Sequence, residues 1–160
     1  VSTRQKRGAV DVLQQARKVR SMYAALHAAR GITFEIAENA RLRAETTESA
    51  VLQALINLVD NATYWLLATK QESPRVIRAF VTAPDTFVIS DSGPGIHAAD
   101  EPFIFEPFYS GKGDAGKGLG LYIARQVGAR NGFSVDLEQK QEERMLEGAA
   151  FSLKFSEVLS

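Results

Sequence analysis

From Gln53 to Tyr64 the chain runs as an apolar helical stretch interrupted by one narrow polar seam. At about 100° per residue, Gln53, Asn57, Asp60, Asn61 and Tyr64 fall within an arc of roughly 100°. Val51, Leu52, Leu55, Ile56, Leu58, Val59, Ala62, Trp65 and Leu66 cover most of the rest. A surface helix has the opposite balance, with the apolar residues in the minority. A largely buried helix with its polar groups on one line must satisfy those groups, because an unpaired buried amide or carboxylate costs about 1–3 kcal/mol. The line is therefore expected to face a cavity that holds something polar.

The chain has 160 residues, 45% of them hydrophobic, which suits one domain with a full core. Nineteen basic and 19 acidic side chains balance, so no bulk field points to nucleic acid or to a membrane surface. With no cysteine, disulfides, zinc–thiolate sites and thiol nucleophiles are excluded. No apolar run approaches the roughly 18 residues of a membrane helix, and residues 1–7 lack the apolar centre of a signal peptide. These seven residues read as a basic lead-in or linker, with the folded domain spanning 8–160. The first residue is Val rather than Met, so a longer parent protein is expected.

Helical spacing from Val10 to about Ala29 predicts a first helix, ended by Gly31. Residues 32–36 alternate as a strand, and 42–44 form a shorter extended candidate. Thr46 or Thr47 is the expected cap of the seamed helix, which runs to about Thr69. Residues 76–81 and 87–89 read as a strand pair turned by Ala83, Pro84 and Asp85. Residues 98–117 read as a long loop carrying an aromatic segment, and 119–130 as a helix. Residues 133–137 and 150–155 form a closing hairpin joined through the charged stretch 138–147. The expected fold class is α/β: a two-layer sandwich with a mixed, mostly antiparallel sheet and about three helices on one face.

Three segments carry chemistry. Asn57 and Asn61 lie one turn apart, and an amide oxygen is a hard, neutral ligand suited to Mg²⁺. Two such asparagines also suit a purely structural helix face. Asp91, at the end of an apolar strand, is followed by Gly93 and Gly95. An ionised carboxylate there only accepts hydrogen bonds, and the glycines permit close backbone approach. That combination suits an amino-bearing planar ring such as adenine, and equally an ordinary turn. Gly116, Lys117, Gly118, Leu119, Gly120 and Leu121 open the last helix, where backbone amides and the helix dipole favour an anion. The spacing is neither that of a P-loop nor that of a dinucleotide fingerprint.

In this order, the segments resemble the ATP-binding domain of sensor histidine kinases, in the superfamily of gyrase, heat-shock chaperone and mismatch-repair ATPases. Asn57-Leu-Val-Asp60-Asn61-Ala is similar to the N box, Asp91-Ser-Gly93-Pro-Gly95 to the first glycine box, and Phe105-Glu-Pro-Phe108 to the F box. Gly116-Lys-Gly118-Leu-Gly120-Leu is similar to the second glycine box. The resemblance covers about residues 8–156 and implies a Bergerat-type ATP-binding fold with ATP and Mg²⁺ as cofactors.

By that resemblance, Asn61 holds the magnesium ion, Asn57 assists, and Asp91 accepts from the adenine amino group. Gly93, Gly95 and Ile96 shape the base pocket, and Gly118, Leu119 and Gly120 offer amides to the phosphates. Tyr64, Phe105, Tyr109, Ser110, Gly111, Gly116 and Leu121 complete the implied ATP-binding set, with 109–115 as a short lid. Asn57, Lys112 and Lys117 take the implied catalytic roles, either lysine reaching the γ-phosphate. Two departures stand out: Tyr64 occupies a position that is often basic, and the F box lacks a neighbouring arginine. Related ATP hydrolases usually place glutamate at the position of Asn57. An amide cannot serve as general base, so transfer to a nucleophile supplied elsewhere is favoured over hydrolysis.

His27 and His97 lack the acidic neighbour and downstream proline of an acceptor motif and read as ordinary surface or loop histidines. The implied partners are thus a histidine-bearing dimerisation domain of the same protein and a response regulator. No nucleic-acid partner and no direct membrane contact are expected, and homodimerisation belongs to the full-length protein. The implied location is cytoplasmic, with a parent that is either soluble or membrane-anchored. A superfamily ATPase or nucleotide-gated conformational switch is the alternative.

Overall fold

The computed structural model describes residues 6–38, 40–68, 70, 73–109, 118–139 and 146–160. In chain order the elements are β1 (Arg7–Asp11), α1 (Val12–Arg30), β2 (Ile32–Ile36), β3 (Arg43–Thr47), α2 (Glu48–Ala68), β4 (Arg75–Ala83) and β5 (Thr86–Asp91). There follow α3 (Gly120–Asn131), β6 (Phe133–Leu137), β7 (Ala150–Phe155) and β8 (Val158–Leu159), with a single 3₁₀ turn at Glu101–Phe103 ahead of α3.

Five strands form the main sheet in the order β2-β4-β5-β7-β6. Only β2 and β4 run parallel; the other neighbours are antiparallel. The helices line one face: α1 packs beside β2, α2 on β5 and α3 beside β6, with α2 between the other two helices. The expected mixed sheet and three-helix layer are both present.

Strand alternation decides what this layer encloses. Phe87 and Ile89 of β5 point into the main core with Leu55, Leu58 and Leu66 of α2, whereas Val88 joins Phe80 and Ala150 on the opposite face. With a period of two, Asp91 continues the Phe87–Ile89 side, so its carboxylate is directed at the helical layer.

A second, three-stranded sheet, β1-β3-β8, was not foreseen. Arg7, placed in the lead-in by sequence, is paired with Thr47 at one end of β1. The extended candidate at 42–44 is the start of β3, which runs on to Thr47. Of the two expected caps, Thr47 directly precedes α2, whereas Thr46 lies within β3 and donates its hydroxyl to the Asn131 carbonyl at 2.5 Å.

His27 is not a surface histidine. It is buried on α1, its Nε2 lies 2.9 Å from the Thr63 hydroxyl of α2, and its ring stacks on Tyr23. Burial holds its pKa below the ordinary value. Together with a Tyr23–Asp60 hydrogen bond of 3.1 Å and a Lys18–Glu48 ion pair of 2.8 Å, this contact lays α1 parallel to α2.

Candidate functional site

The polar seam of α2 is narrower than its sequence suggests. Gln53 and Asp60 are exposed, and Asp60 turns toward α1 to accept from Tyr23. Asn57 and Asn61 remain on the inner part of the seam, with Asn61 only 9% exposed. Asn57 Nδ2 is buried without a hydrogen-bond partner. Gln15 Oε1 and His27 Nδ1 of α1 are likewise buried without partners, but Asn57 Nδ2 is the one on the α2 seam; an orphaned buried amide is costly and marks a place where a polar group is wanted. Tyr64 is half-buried one turn on, edge-to-face with Trp65 at 5.2 Å between ring centroids.

Beside this helix, β5 ends at Asp91. Its side chain is 3% exposed and accepts from the Gly93 amide at 2.8 Å. Burial lifts its pKa from 3.8 to about 6, against the opposing pull of backbone hydrogen bonds from Gly93 and Ala149. The turn is braced from β4: Val76 N–H donates to the Ser92 hydroxyl at 2.8 Å, and that hydroxyl donates to the Pro74 carbonyl at 3.0 Å. Gly95 adopts φ +77°, a left-handed conformation that glycine takes without strain. A Cβ on Gly93 would meet Asp91 Oδ1 at 2.9 Å and Leu66 of α2 at 3.8 Å, so the turn, the carboxylate and α2 are immediate neighbours. Ile96 packs at the margin of the core beyond the turn.

Gly148 is a site residue that sequence reasoning missed. Its amide donates to the Asp91 carbonyl at 3.0 Å, and Asp91 N–H donates to the Ala149 carbonyl at 2.9 Å. A Cβ at position 148 would lie 2.2 Å from the Asp91 carbonyl oxygen, 2.4 Å from Oδ1 and 2.7 Å from the Gly93 nitrogen. Only glycine fits there. Its position at the end of a charged connection gave no local hint; the three-dimensional approach to Asp91 reveals it.

The third component is the start of α3, which packs along α2. Gly118 adopts φ +67°, and its carbonyl accepts from Phe108 N–H at 2.9 Å. A Cβ on Gly118 would strike Phe108 and Tyr109 backbone atoms at 2.6 Å, so this glycine permits the segment at 105–109 to lie against the helix start. Leu119 occupies the N-cap position of α3 without a side-chain cap, Gly120 opens the helix, and Leu121 packs against the core.

Phe105 does not stand free in a pocket. It is edge-to-face with Phe151 of β7 at 6.0 Å, and the Arg125 guanidinium lies 3.6 Å from its ring centroid. It therefore anchors its loop to the body of the domain. Tyr109 donates its hydroxyl to the Asp100 carboxylate and stacks near Phe103, fixing the end of the same loop. Ser110, Gly111, Lys112, Gly116 and Lys117 lie outside the described residues.

α2 thus adjoins the Asp91 turn through Leu66 and packs along α3, whose start carries Gly118 and Gly120. Among the described residues no group of three His, Cys, Asp or Glu converges, so the oxygen donors at the seam are neutral amides. Such donors fit a hard cation that keeps water and shares other oxygens with a phosphate.

Comparisons with known proteins bear on the family and the fold. The profile of the family described as "Histidine kinase-, DNA gyrase B-, and HSP90-like ATPase" matches residues 46–158. The signal transduction histidine-protein kinase/phosphatase MprB of Mycobacterium ulcerans is 36% identical over 89 residues, 54% of this chain and 17% of that protein. The sensor protein ChvG of Agrobacterium fabrum is 32% identical over 109 residues, 63% of this chain and 18% of that protein. The match thus spans under a fifth of either relative's length. Among solved structures, the nucleotide-free catalytic domain of histidine kinase ThkA superposes with a TM-score of 0.73 at 25% identity, covering 95% of this chain and 98% of that one.

Two outcomes are expected from this geometry. Gly148→Ala forces a methyl group into backbone and carboxylate, and overpacking of this kind should destabilise the domain by about 1–3 kcal/mol or more in urea unfolding. The raised pKa of Asp91 means that the folded state holds this proton more tightly than the unfolded chain. Its ionisation therefore removes stability as pH rises from about 4 to about 6. Asp91→Asn lacks that loss, so its stability relative to wild type should climb by roughly 2–3 kcal/mol between pH 4 and pH 7 in paired denaturation curves.

Proposed function

The chain belongs to the family of histidine kinase-, DNA gyrase B- and HSP90-like ATPases, and on that premise we propose that it is the catalytic, ATP-binding domain of a two-component sensor histidine kinase. It binds Mg-ATP and passes the γ-phosphoryl group to a histidine on a dimerisation domain of the same protein. A response regulator then receives the phosphoryl group. The working location is the cytoplasm, whether or not the parent is membrane-anchored; no helix among the described residues is long and apolar enough to cross a membrane.

In this reading Asp91, ionised, accepts a hydrogen bond from the adenine amino group, an interaction of about 1.5–3 kcal/mol. Guanine presents a carbonyl oxygen at the same place and is repelled. Gly93, Gly95 and Ile96 give the ring its flat approach, and the amides of Gly118, Leu119 and Gly120 point to the phosphates at the start of α3. Asn61 would hold magnesium with Asn57 beside it; the ion, when bound, supplies charge neutralisation across the phosphates. Lys112 and Lys117 are the cations assigned to the γ-phosphate by resemblance.

The observation that carries transfer rather than hydrolysis is the state of the α2 seam. Its inward residues Asn57 and Asn61 are amides, which cannot take a proton from water. Its one carboxylate, Asp60, faces α1 and is engaged by Tyr23. The nucleophile is therefore supplied from outside the domain.

The test mixes the domain with γ-labelled ATP and a histidine-bearing dimerisation domain of a related sensor kinase. Acid-labile label on that histidine is expected, with Asn61→Ala reducing the rate at least about a hundredfold, a loss of the size seen when a transition-state electrostatic contact is removed. Sustained phosphate release by the domain alone, abolished by Asn61→Ala and without transfer, would assign it instead as a superfamily ATPase or nucleotide-gated switch.

A further inference from the structure

The start of α3 draws its support from another segment. Leu119 caps it without a side-chain hydrogen bond, and Gly118 ahead of it sits at φ +67°. The first amides of such a helix are left unpaired, and their direction is set by whatever packs on the entry. Here that is the segment before it. Phe108 N–H donates to the Gly118 carbonyl at 2.9 Å, and Phe108 and Tyr109 backbone atoms fill the space that a Cβ on Gly118 would need.

Residues 100–109 move as one folded unit. Phe103 N–H donates to the Asp100 carbonyl at 2.9 Å, Glu106 N–H to the Phe103 carbonyl at 3.0 Å, and Tyr109 N–H to the Glu106 carbonyl at 3.3 Å. The Tyr109 hydroxyl closes the run on the Asp100 carboxylate. A shift of Phe105 is therefore passed on to Phe108. What holds Phe105 is Arg125, on the second turn of α3. Its Nε donates to the Val135 carbonyl at 3.1 Å and its Nη2 to the Asp136 carboxylate at 2.6 Å, both on β6. So pinned, the guanidinium lies over the Phe105 ring at 3.6 Å from its centroid, while that ring meets Phe151 at 88°. A planar cation fixed by its own hydrogen bonds makes a rigid ring contact that a flexible ammonium does not. The contacts close a ring: Arg125 to Phe105, Phe108 to Gly118, and back along α3.

We propose that Arg125 is a positioning residue for the phosphates. By holding Phe105 it keeps Phe108 on Gly118, and so sets the direction of the amides of Gly118, Leu119 and Gly120. This role rests on the nucleotide reading above and adds to it a residue outside the four boxes. Two of the arginine's donors are spent on β6, so it acts through the aromatic contact and not on a phosphate. The adenine end belongs to Asp91 and its glycine turn, which none of these contacts of Arg125 reaches.

The experiment measures the affinity of the domain for Mg-ATP and for adenosine by NMR titration, in wild type, Arg125→Ala, Phe105→Leu and the double variant. Wild type should bind Mg-ATP more tightly than adenosine. Each single variant should weaken Mg-ATP by at least about fivefold, the size of a lost and partly desolvated cation–π contact, and leave adenosine within about twofold. The double variant should lose no more than the worse single variant, because the two side chains act as one contact. The uncharged change at Phe105 separates positioning from direct charge. A loss in Arg125→Ala without one in Phe105→Leu would place the arginine on the phosphates and overturn the proposal. Undiminished Mg-ATP affinity in Arg125→Ala, or an equal loss of adenosine affinity, would overturn it as well. Wild type that takes up neither ligand would instead remove the nucleotide reading, and this role with it.

Discussion

A carboxylate forced to live in the layer between sheet and helices is the constraint around which this domain is arranged. Asp91 extends the inward side of β5 set by Phe87 and Ile89, so its burial follows from strand geometry and not from a flexible loop. That burial opposes ionisation and lifts its pKa to about 6. A charge in such a place is tolerated when neighbouring donors converge on it, here the backbone amides of Gly93 and Ala149, and two glycines allow the close approach. Gly93 brings its amide to 2.8 Å, and Gly148 presses its backbone against the same residue where any side chain would collide. The remaining acceptor capacity of the carboxylate is what a ligand with an amino group can use.

The rest of the site follows from how α2 is held above this point. α2 is buried by its apolar residues against β5 and flanked by α1 and α3, which limits its polar residues to a narrow strip. On the α1 side, Tyr23 and His27 take up Asp60 and Thr63. What remains inside is a pair of amides, one with an orphaned nitrogen. The α1 contacts thus do more than pack a helix: Tyr23 engages the seam's one carboxylate on the side away from the inward amides. On the far side, the carbonyl of Gly118 ties the start of α3 to Phe108, while Arg125 clamps Phe105, so one loop is attached twice along α3.

Much of this was legible in the sequence because it is local. The two long helices, the β4–β5 and β6–β7 pairs and the glycine turns all announce themselves through periodicity and turn chemistry within short windows. Asn57, Asn61 and Asp91 were legible for the same reason: polar residues placed at inward positions of apolar elements stand out. What was not legible depends on distant pairing. β1 is five residues of mixed character and β8 only two, and each acquires its identity from β3 alone. Between Thr46 and Thr47 the sequence left the cap open, because the contact that claims Thr46, with Asn131, lies 85 residues away. His27 looked exposed until Thr63 and Tyr23 enclosed it, and Gly148 had no signal apart from its approach to Asp91.

In the proposed function, Asp91 is an acceptor only partly used in the free domain and fully used when adenine binds. Carbon-13 NMR of the Asp91 carboxyl, titrated with and without saturating adenosine, measures this directly. The free domain should show a midpoint near pH 6. Adenosine should move the midpoint downward, because the amino group favours the ionised form, and guanosine should leave it in place. A midpoint that adenosine does not shift, or shifts upward, would contradict the account.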